Sequence, residues 1–332
     1  LTTVTGPEGR TITLEHGTAI LATGGSEAAT TAYGHGESAA VTTLKGLEIG
    51  LANATIDPAA LTAVAMIQCV ECREEPRNYC SRVCCPSALK HALGLKKRNP
   101  EIAVYVLYRD LMSCGFSETY YTRARQAGIL FFSYSLGRKP AVTVDTQGRP
   151  LVTVFEPLVG REVAISADLV VLATGIVPHL PAALVEAFGV TRDRDGFFQE
   201  AESKWRPVDA LKEGVFACGL VRAPHGIPEA MAEAEAAAQR ALRILGRKRL
   251  PAAKVVAEVR HSLCSRCERC LDVCPYGARR RNPDLDRIEV NPAMCQGCGA
   301  CAAACPNSAA IVAGFTDTRM LAVIDAALEG VS

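Results

Sequence analysis

Eight cysteines late in the chain constrain its fold more than any other feature. Cys264, Cys267, Cys270 and Cys274 are followed by Pro275, and the same run returns as Cys295, Cys298, Cys301 and Cys305 followed by Pro306. Each run reads C-x2-C-x2-C-x3-C-P. Three thiolates at that spacing wrap one loop around three corners of a cubane, while the fourth points away into a neighbouring cluster. The expected ligand sets are therefore crossed: Cys264, Cys267, Cys270 and Cys305 for one [4Fe-4S] cluster, and Cys295, Cys298, Cys301 and Cys274 for the other. The competing reading is a pair of structural zinc sites. Zinc calls for separated cysteine pairs rather than a three-thiol loop with a crossed fourth ligand, so iron and sulfur are preferred. A chain built around two such clusters moves electrons.

The pattern is that of a bacterial two-cluster ferredoxin, but the chain of 332 residues is long enough for two or three domains with cores of their own. Its 36 basic and 35 acidic residues nearly cancel, so no global field points to nucleic acid or a membrane as the main partner. Locally, Arg247, Lys248, Arg249, Lys254, Arg260, Arg266, Arg269 and Arg279 to Arg281 crowd around the first cysteine run. A solvated face is favoured there over a docking surface for an acidic redox partner. Fifteen cysteines with thiolate-ligand spacing fit a reducing, low-oxygen cytoplasm better than a disulfide framework. No apolar run approaches the roughly 18 residues of a membrane span, which leaves a peripheral place in a membrane-associated complex open. The chain opens at Leu1, as though in mid-domain, and an upstream segment is expected.

An internal echo organises the first two thirds. Ala19-Ile20-Leu21-Ala22-Thr23-Gly24-Gly25 returns as Leu169-Val170-Val171-Leu172-Ala173-Thr174-Gly175, each a short apolar strand running into Ala-Thr-Gly. Between them, strand 63–68, helix 87–98 and strand 103–108 form a β-α-β candidate. A helix over 116–128 and strands near 129–134, 142–144 and 151–155 follow, and strands alternating with helices imply a parallel sheet. A long alanine-rich helix is expected over 228–245, with Pro228 in its first turn and Gly246 past its end. Residues 246–253 read as a linker.

The paired Ala-Thr-Gly strands resemble the two-dinucleotide-domain flavoproteins of the thioredoxin reductase type. The resemblance implies an FAD domain over 1–62 and 160–246, with its N-terminal portion absent, interrupted by a region over 63–159 like an NAD domain. A two-cluster module over 254–314 and a helix over 315–332 complete the expected α/β architecture. It also implies FAD contacts at Thr23, Gly24, Thr174, Gly175 and Gly219, and at the helix entrance His225, Gly226 and Ile227. Where that family usually has Asp after the last of its FAD glycines, this chain has Leu220. An NAD(P) site would need G-x-G-x-x-G/A after the strand at 63–68. Instead the chain reads Gln68-Cys69-Val70-Glu71-Cys72, then Tyr79-Cys80-Ser81-Arg82-Val83-Cys84-Cys85-Pro86. Thiols replace the phosphate cradle. Cys69, Cys80, Cys84 and Cys85 supply four ligands for a third cluster, with Cys72 as a spare or alternative. A vicinal Cys84–Cys85 disulfide, a zinc site and a thiol redox centre compete with that reading.

With Ile67 to Val70, Tyr79 to Cys85, Tyr105 to Asp110, Gly115-Phe116, Arg206 to Asp209, both cysteine runs and Gly314 to Asp317, the chain closely resembles the A-subunit family of heterodisulfide reductase. The resemblance implies an FAD- and iron-sulfur-containing electron-transfer subunit of a hetero-oligomeric complex. Ferredoxin or another redox protein is an implied partner, dimerisation is left open, and flavin-based electron bifurcation is one version of the mechanism. The alternatives are an NAD(P)H-dependent iron-sulfur flavoprotein reductase and a flavin-free relay. Gly34-His35-Gly36-Glu37-Ser38-Ala39 fits a dinucleotide pattern formally but follows no apolar strand and is set aside. Arg109 is read as a core-edge or interface residue, and Cys114 and Cys218 as buried structural cysteines. No residue reads as an acid, base or nucleophile acting on an organic substrate.

Overall fold

The computed structural model describes all residues except Trp205, 248–254, Ala293 and 330–332. Lys248, Arg249 and Lys254 of the basic stretch, most of the expected linker and the end of the last helix therefore lie outside the described residues.

Five parallel strands form the central sheet, in the order Val41–Thr43, Leu169–Thr174, Ala63–Val70, Ala103–Tyr108, Leu130–Ser133. The strand Ala63–Val70 is buried along its whole length, and both sheet faces are covered, as its unbroken apolar run requires. On one face Val64 and Met66 pack with Leu89, Ala92 and Leu95 of the helix Cys84–Arg98. On the other, Ala65 and Ile67 meet Val152, Val154 and Ile165 of a three-stranded antiparallel meander. That meander has the order Arg161–Ser166, Pro150–Glu156, Ala141–Val144. The helix begins at Cys84, three residues before the expected start, so Cys84 and Cys85 are helical and buried in the core.

The two Ala-Thr-Gly strands enter different sheets. Ala19–Leu21 pairs in parallel with Val215–Ala217, whereas Leu169–Thr174 lies in the central sheet beside Ala63–Val70. Strand pairing thus runs across the boundaries expected at 62 and 160. Immediately after the two repeats, Gly25–Glu27 and Ile176–Pro178 pair antiparallel, which brings both glycine tips together. The helix Ile227–Leu245 covers the first of these sheets, with Ala237 and Ala241 packed on Phe216 and Cys218.

The last module consists of two antiparallel pairs, Ala257–Val259 with Ala310–Val312 and Arg279–Asn282 with Arg287–Val290. The short helices Arg269–Asp272 and Ala300–Ala303 follow its two cysteine loops. No helix among the described residues is long and apolar enough to cross a membrane.

Candidate iron-sulfur and flavin sites

The eight late cysteines gather around two separate pockets. One is lined by Cys264, Cys267, Cys270 and Cys305, the other by Cys274, Cys295, Cys298 and Cys301. The fourth cysteine of each run therefore faces the pocket of the other run. The loops are built alike. Arg266 and Glu268 take left-handed backbone (φ 59° and 61°) at the positions where the second loop has Gly297 and Gly299 (φ 65° and 82°). Gly297 has a second constraint, since a Cβ there would stand 2.3 Å from the Val255 carbonyl oxygen. Backbone N–H groups donate to the sulfurs, Ala257 to Cys295 Sγ at 3.3 Å and Ala310 to Cys305 Sγ at 3.4 Å. Burial pushes the Cys305 thiol up, yet the backbone N–H groups of Ala310, Asn307 and Ala309 and the Arg279 charge bring it below the ordinary thiol value. Among the described residues no three His, Cys, Asp or Glu converge on a single ion position. A cubane instead holds each thiolate on its own iron, so the separated donor sets fit that group.

The other cysteine cluster sits where the sheet meets the helix Cys84–Arg98. Cys69, Cys72, Cys84 and Cys85 are buried, Cys80 is half-buried, and all are free thiols. No Cys84–Cys85 disulfide is present. The Cys72 thiol, held neutral well above its ordinary value by its hydrogen bond to Cys69 and by burial, leaves Cys69 at about 6. Arg73 Nη1 lies 3.9 Å from Cys69 Sγ. The Arg109 charge adds to the same effect. Cys85 is lowered by its hydrogen bond from Cys84. Cys69, and Cys85 at the N-terminus of the helix, are thus favoured as anions, whereas the hydrogen bond to Cys85 and burial push Cys84 up and burial pushes Cys80 up.

The connecting loop is conformationally costly. Cys69, Glu71, Arg73 and Arg82, none of them glycine, have φ of 57°, 50°, 60° and 54°. Arg109 turns out to be its staple: Nη2 donates to the Cys72 carbonyl oxygen and Nη1 to that of Arg73. Its position at a strand end was visible in the sequence; its role depends on a loop conformation that was not. Cys114, expected to be buried, is exposed, because it lies in an irregular stretch between strand and helix rather than in either. Cys218 is buried beneath the alanine-rich helix.

The expected flavin residues fall near that loop. Tyr79 donates to the Ile176 carbonyl oxygen at 2.7 Å, Ile176 N donates to Ser81 Oγ at 2.8 Å, and a Cβ on Gly175 would meet Cys72 Cβ at 3.1 Å. Thr174 Oγ1 is buried with no partner among the described residues. Gly24 has φ 74° with open space where a Cβ would stand, and Thr23 beside it is exposed. A Cβ on Gly25 would touch Leu220 at 3.4 Å, so the two glycine tips and the Gly219 turn are contiguous. The open tip and the unpartnered hydroxyl fit one side of a flavin. At the helix entrance Ile227 is 79% exposed, and the Gly226 N–H is already taken by Glu229 Oε2 at 3.0 Å. The same Glu229 accepts from Arg82 at 2.6 Å, tying the cysteine loop to the helix end. The G-x-x-E spacing of a capping box could have revealed Glu229; nothing in the sequence marked Arg82.

Glu233, one turn further on, was not foreseen. It accepts from Gly219 N at 2.8 Å and from the Arg222 guanidinium, with His225 Nδ1 at 3.0 Å. Burial pushes its carboxyl up, but these partners overcome it and hold it at about 2 against an ordinary 4.5. A depressed folded-state value contributes stability above the unfolded value that is lost as pH falls through the range down to about 2. With allowance for solvent screening of a carboxylate that still reaches solvent, Glu233→Gln should therefore cost on the order of 2 kcal/mol at pH 7. Urea unfolding should show that penalty shrinking by about pH 4. A penalty that does not change with pH would contradict the electrostatic account.

A model of the 4Fe-4S dicluster domain matches residues 258–306. Over 80% of its length the chain is 34% identical to the A-subunit of the ferredoxin:CoB-CoM heterodisulfide reductase of Methanosarcina acetivorans, of which it covers 33%. Over 65% of its length it is 38% identical to a protein of Archaeoglobus profundus described as like the heterodisulfide reductase A-subunit, of which it covers 31%. The chain belongs to the A-subunit family of heterodisulfide reductase. It spans about a third of the length of these relatives. Among solved structures it is similar to a thioredoxin reductase of T. acidophilum, with a TM-score of 0.49 and 15% identity, covering 69% of this chain and 66% of that one. In this chain an α/β scaffold is followed by the residues that match the dicluster domain.

Proposed function

We propose that this chain is the electron-transfer core of an oxidoreductase subunit, passing electrons between FAD and three [4Fe-4S] clusters inside a cytoplasmic, multisubunit complex of the heterodisulfide reductase kind. The observation that carries it is the sorting of eight cysteines into two crossed sets of four around separate pockets. The third cluster is assigned to Cys69, Cys80, Cys84 and Cys85, with Cys72 as the neighbouring thiol. A flavin takes electrons in pairs and releases them singly, whereas each cluster takes one. The Arg82–Glu229 bridge and the contact of Cys72 with Gly175 support a short route between the third cluster and the flavin residues Thr23, Gly24, Thr174, Gly175, Gly219 and His225 to Ile227. Such a site can run a two-electron to one-electron conversion, and bifurcation is the version in which the two electrons leave at different potentials. Other subunits, and ferredoxin or a similar redox protein, are the partners this reading requires. The cysteine loop occupies the position of a nicotinamide phosphate cradle, which disfavours a self-contained NAD(P)H reductase.

Anaerobically purified protein should contain about twelve irons, as many acid-labile sulfides, and one FAD per chain. About eight irons with no flavin would reduce the chain to a ferredoxin-type relay on a flavoprotein scaffold.

A further inference from the structure

Three consecutive arginines open the strand Arg279–Asn282, and they do not share one environment. Arg280 pairs with Glu289 at 2.9 Å, and Arg281 pairs with Glu268 and Asp286, each at 2.9 Å, on the solvent side. Arg279 turns inward and is only 6% exposed. The basic stretch is therefore not uniformly a solvated face. Its most buried described member serves the interior.

The position of Arg279 is specific. Its side chain lines both cysteine pockets. Nη2 donates to Cys301 Sγ at 3.0 Å, while Nη1 is buried with no hydrogen-bond partner among the described residues. No carboxylate among the described residues pairs with it. A buried guanidinium without a counter-anion is strongly disfavoured, so the partner for this charge must be found in what the pockets hold. A [4Fe-4S] cluster with four thiolates is an anion that gains one further negative charge on reduction. A fixed cation and an N–H donor on a ligand sulfur both stabilise the reduced form more than the oxidised form.

We propose that Arg279 is a positioning residue that sets potentials: a shared counter-cation that raises the reduction potentials of both clusters, and most that of the cluster held by Cys301. The inference rests on the cluster assignment above and concerns only which residue governs electron occupancy.

The test is an EPR-monitored redox titration of the whole protein with Arg279→Gln beside wild type. At a fixed potential the reduced-to-oxidised ratio of the Cys301 cluster should fall at least tenfold, equivalent to about 59 mV for a one-electron couple. The other cluster should shift in the same direction by less. Arg279→Lys, which keeps the charge without the planar fork, should lie between. Unchanged midpoints in an Arg279→Gln protein that retains its iron would overturn the proposal. Should that variant fail to load its clusters, wild-type protein labelled with 15N-arginine supplies the decision. Its reduced cluster should show a 15N hyperfine coupling, and absence of that coupling refutes the contact. Wild-type protein with no [4Fe-4S] signal in this module would instead defeat the cluster assignment itself.

Discussion

Replacing Cys84 and Cys85 together by alanine is expected to remove about four irons and about four sulfides per chain while the two clusters of the C-terminal module remain. The expectation rests on where the two sulfurs stand. They open the helix Cys84–Arg98, at 5% and 1% exposure, among Ala88, Leu89 and Ala92. At that helix end the unpaired N–H groups favour an anion. The loop leading to them keeps four non-glycine residues in left-handed backbone, at a cost of roughly 1–2 kcal/mol each. Arg109 offsets part of that cost through two carbonyl hydrogen bonds, and a bound cluster would offset more. Alanine keeps the helix start apolar, so the loss of iron can be separated from unfolding by circular dichroism. Cys72→Ala should leave the iron content unchanged, because the four ligands are assigned to Cys69, Cys80, Cys84 and Cys85. An iron count unaffected by the double alanine variant would leave these cysteines as a thiol centre without metal.

How much could be read in advance depends on whether a feature is written in local pattern. The strand Ala103–Tyr108 and the long helix Ile227–Leu245 follow from apolar runs and end signals. Strand Arg161–Ser166 was missed because most of its residues face solvent and it carries Arg and Glu, so no apolar alternation marks it. The helix at Cys84 starts early because two cysteines act there as small buried apolar residues, which no polar capping signal announces. The cysteine spacing predicted pocket sharing between the two runs. It could not distinguish Arg279 from Arg280 and Arg281, since only the fold shows that Arg279 alone of the three lies against the cysteine pockets. Arg109, Arg82 and Glu233 were illegible for a related reason: their partners are 36, 147 and 14 residues away in sequence.

Serine at Cys274 should damage the cluster of the second cysteine run, and serine at Cys305 that of the first. A ligand lost from a run would ordinarily be expected to harm the cluster wrapped by its own loop. Here the chain leaves each loop through a one-turn helix, Arg269–Asp272 or Ala300–Ala303, which carries the fourth cysteine out of its own pocket. Cys274 then lines the pocket of Cys295, Cys298 and Cys301, while Cys305 lines that of Cys264, Cys267 and Cys270. Each variant keeps three thiolates on the affected cluster, which should favour loss of the iron at the vacated corner and conversion to a three-iron form. Mössbauer or EPR spectra of Cys274→Ser should show one altered and one intact module cluster. Adding Arg279→Gln identifies which is which, because the altered signal in Cys274→Ser should be the one whose potential depends most on that arginine. If Cys274→Ser instead alters the cluster less sensitive to Arg279, the ligand sets are uncrossed. The reciprocal result for Cys305→Ser follows from the same geometry and must agree with it, since a crossing of two loops cannot be half present.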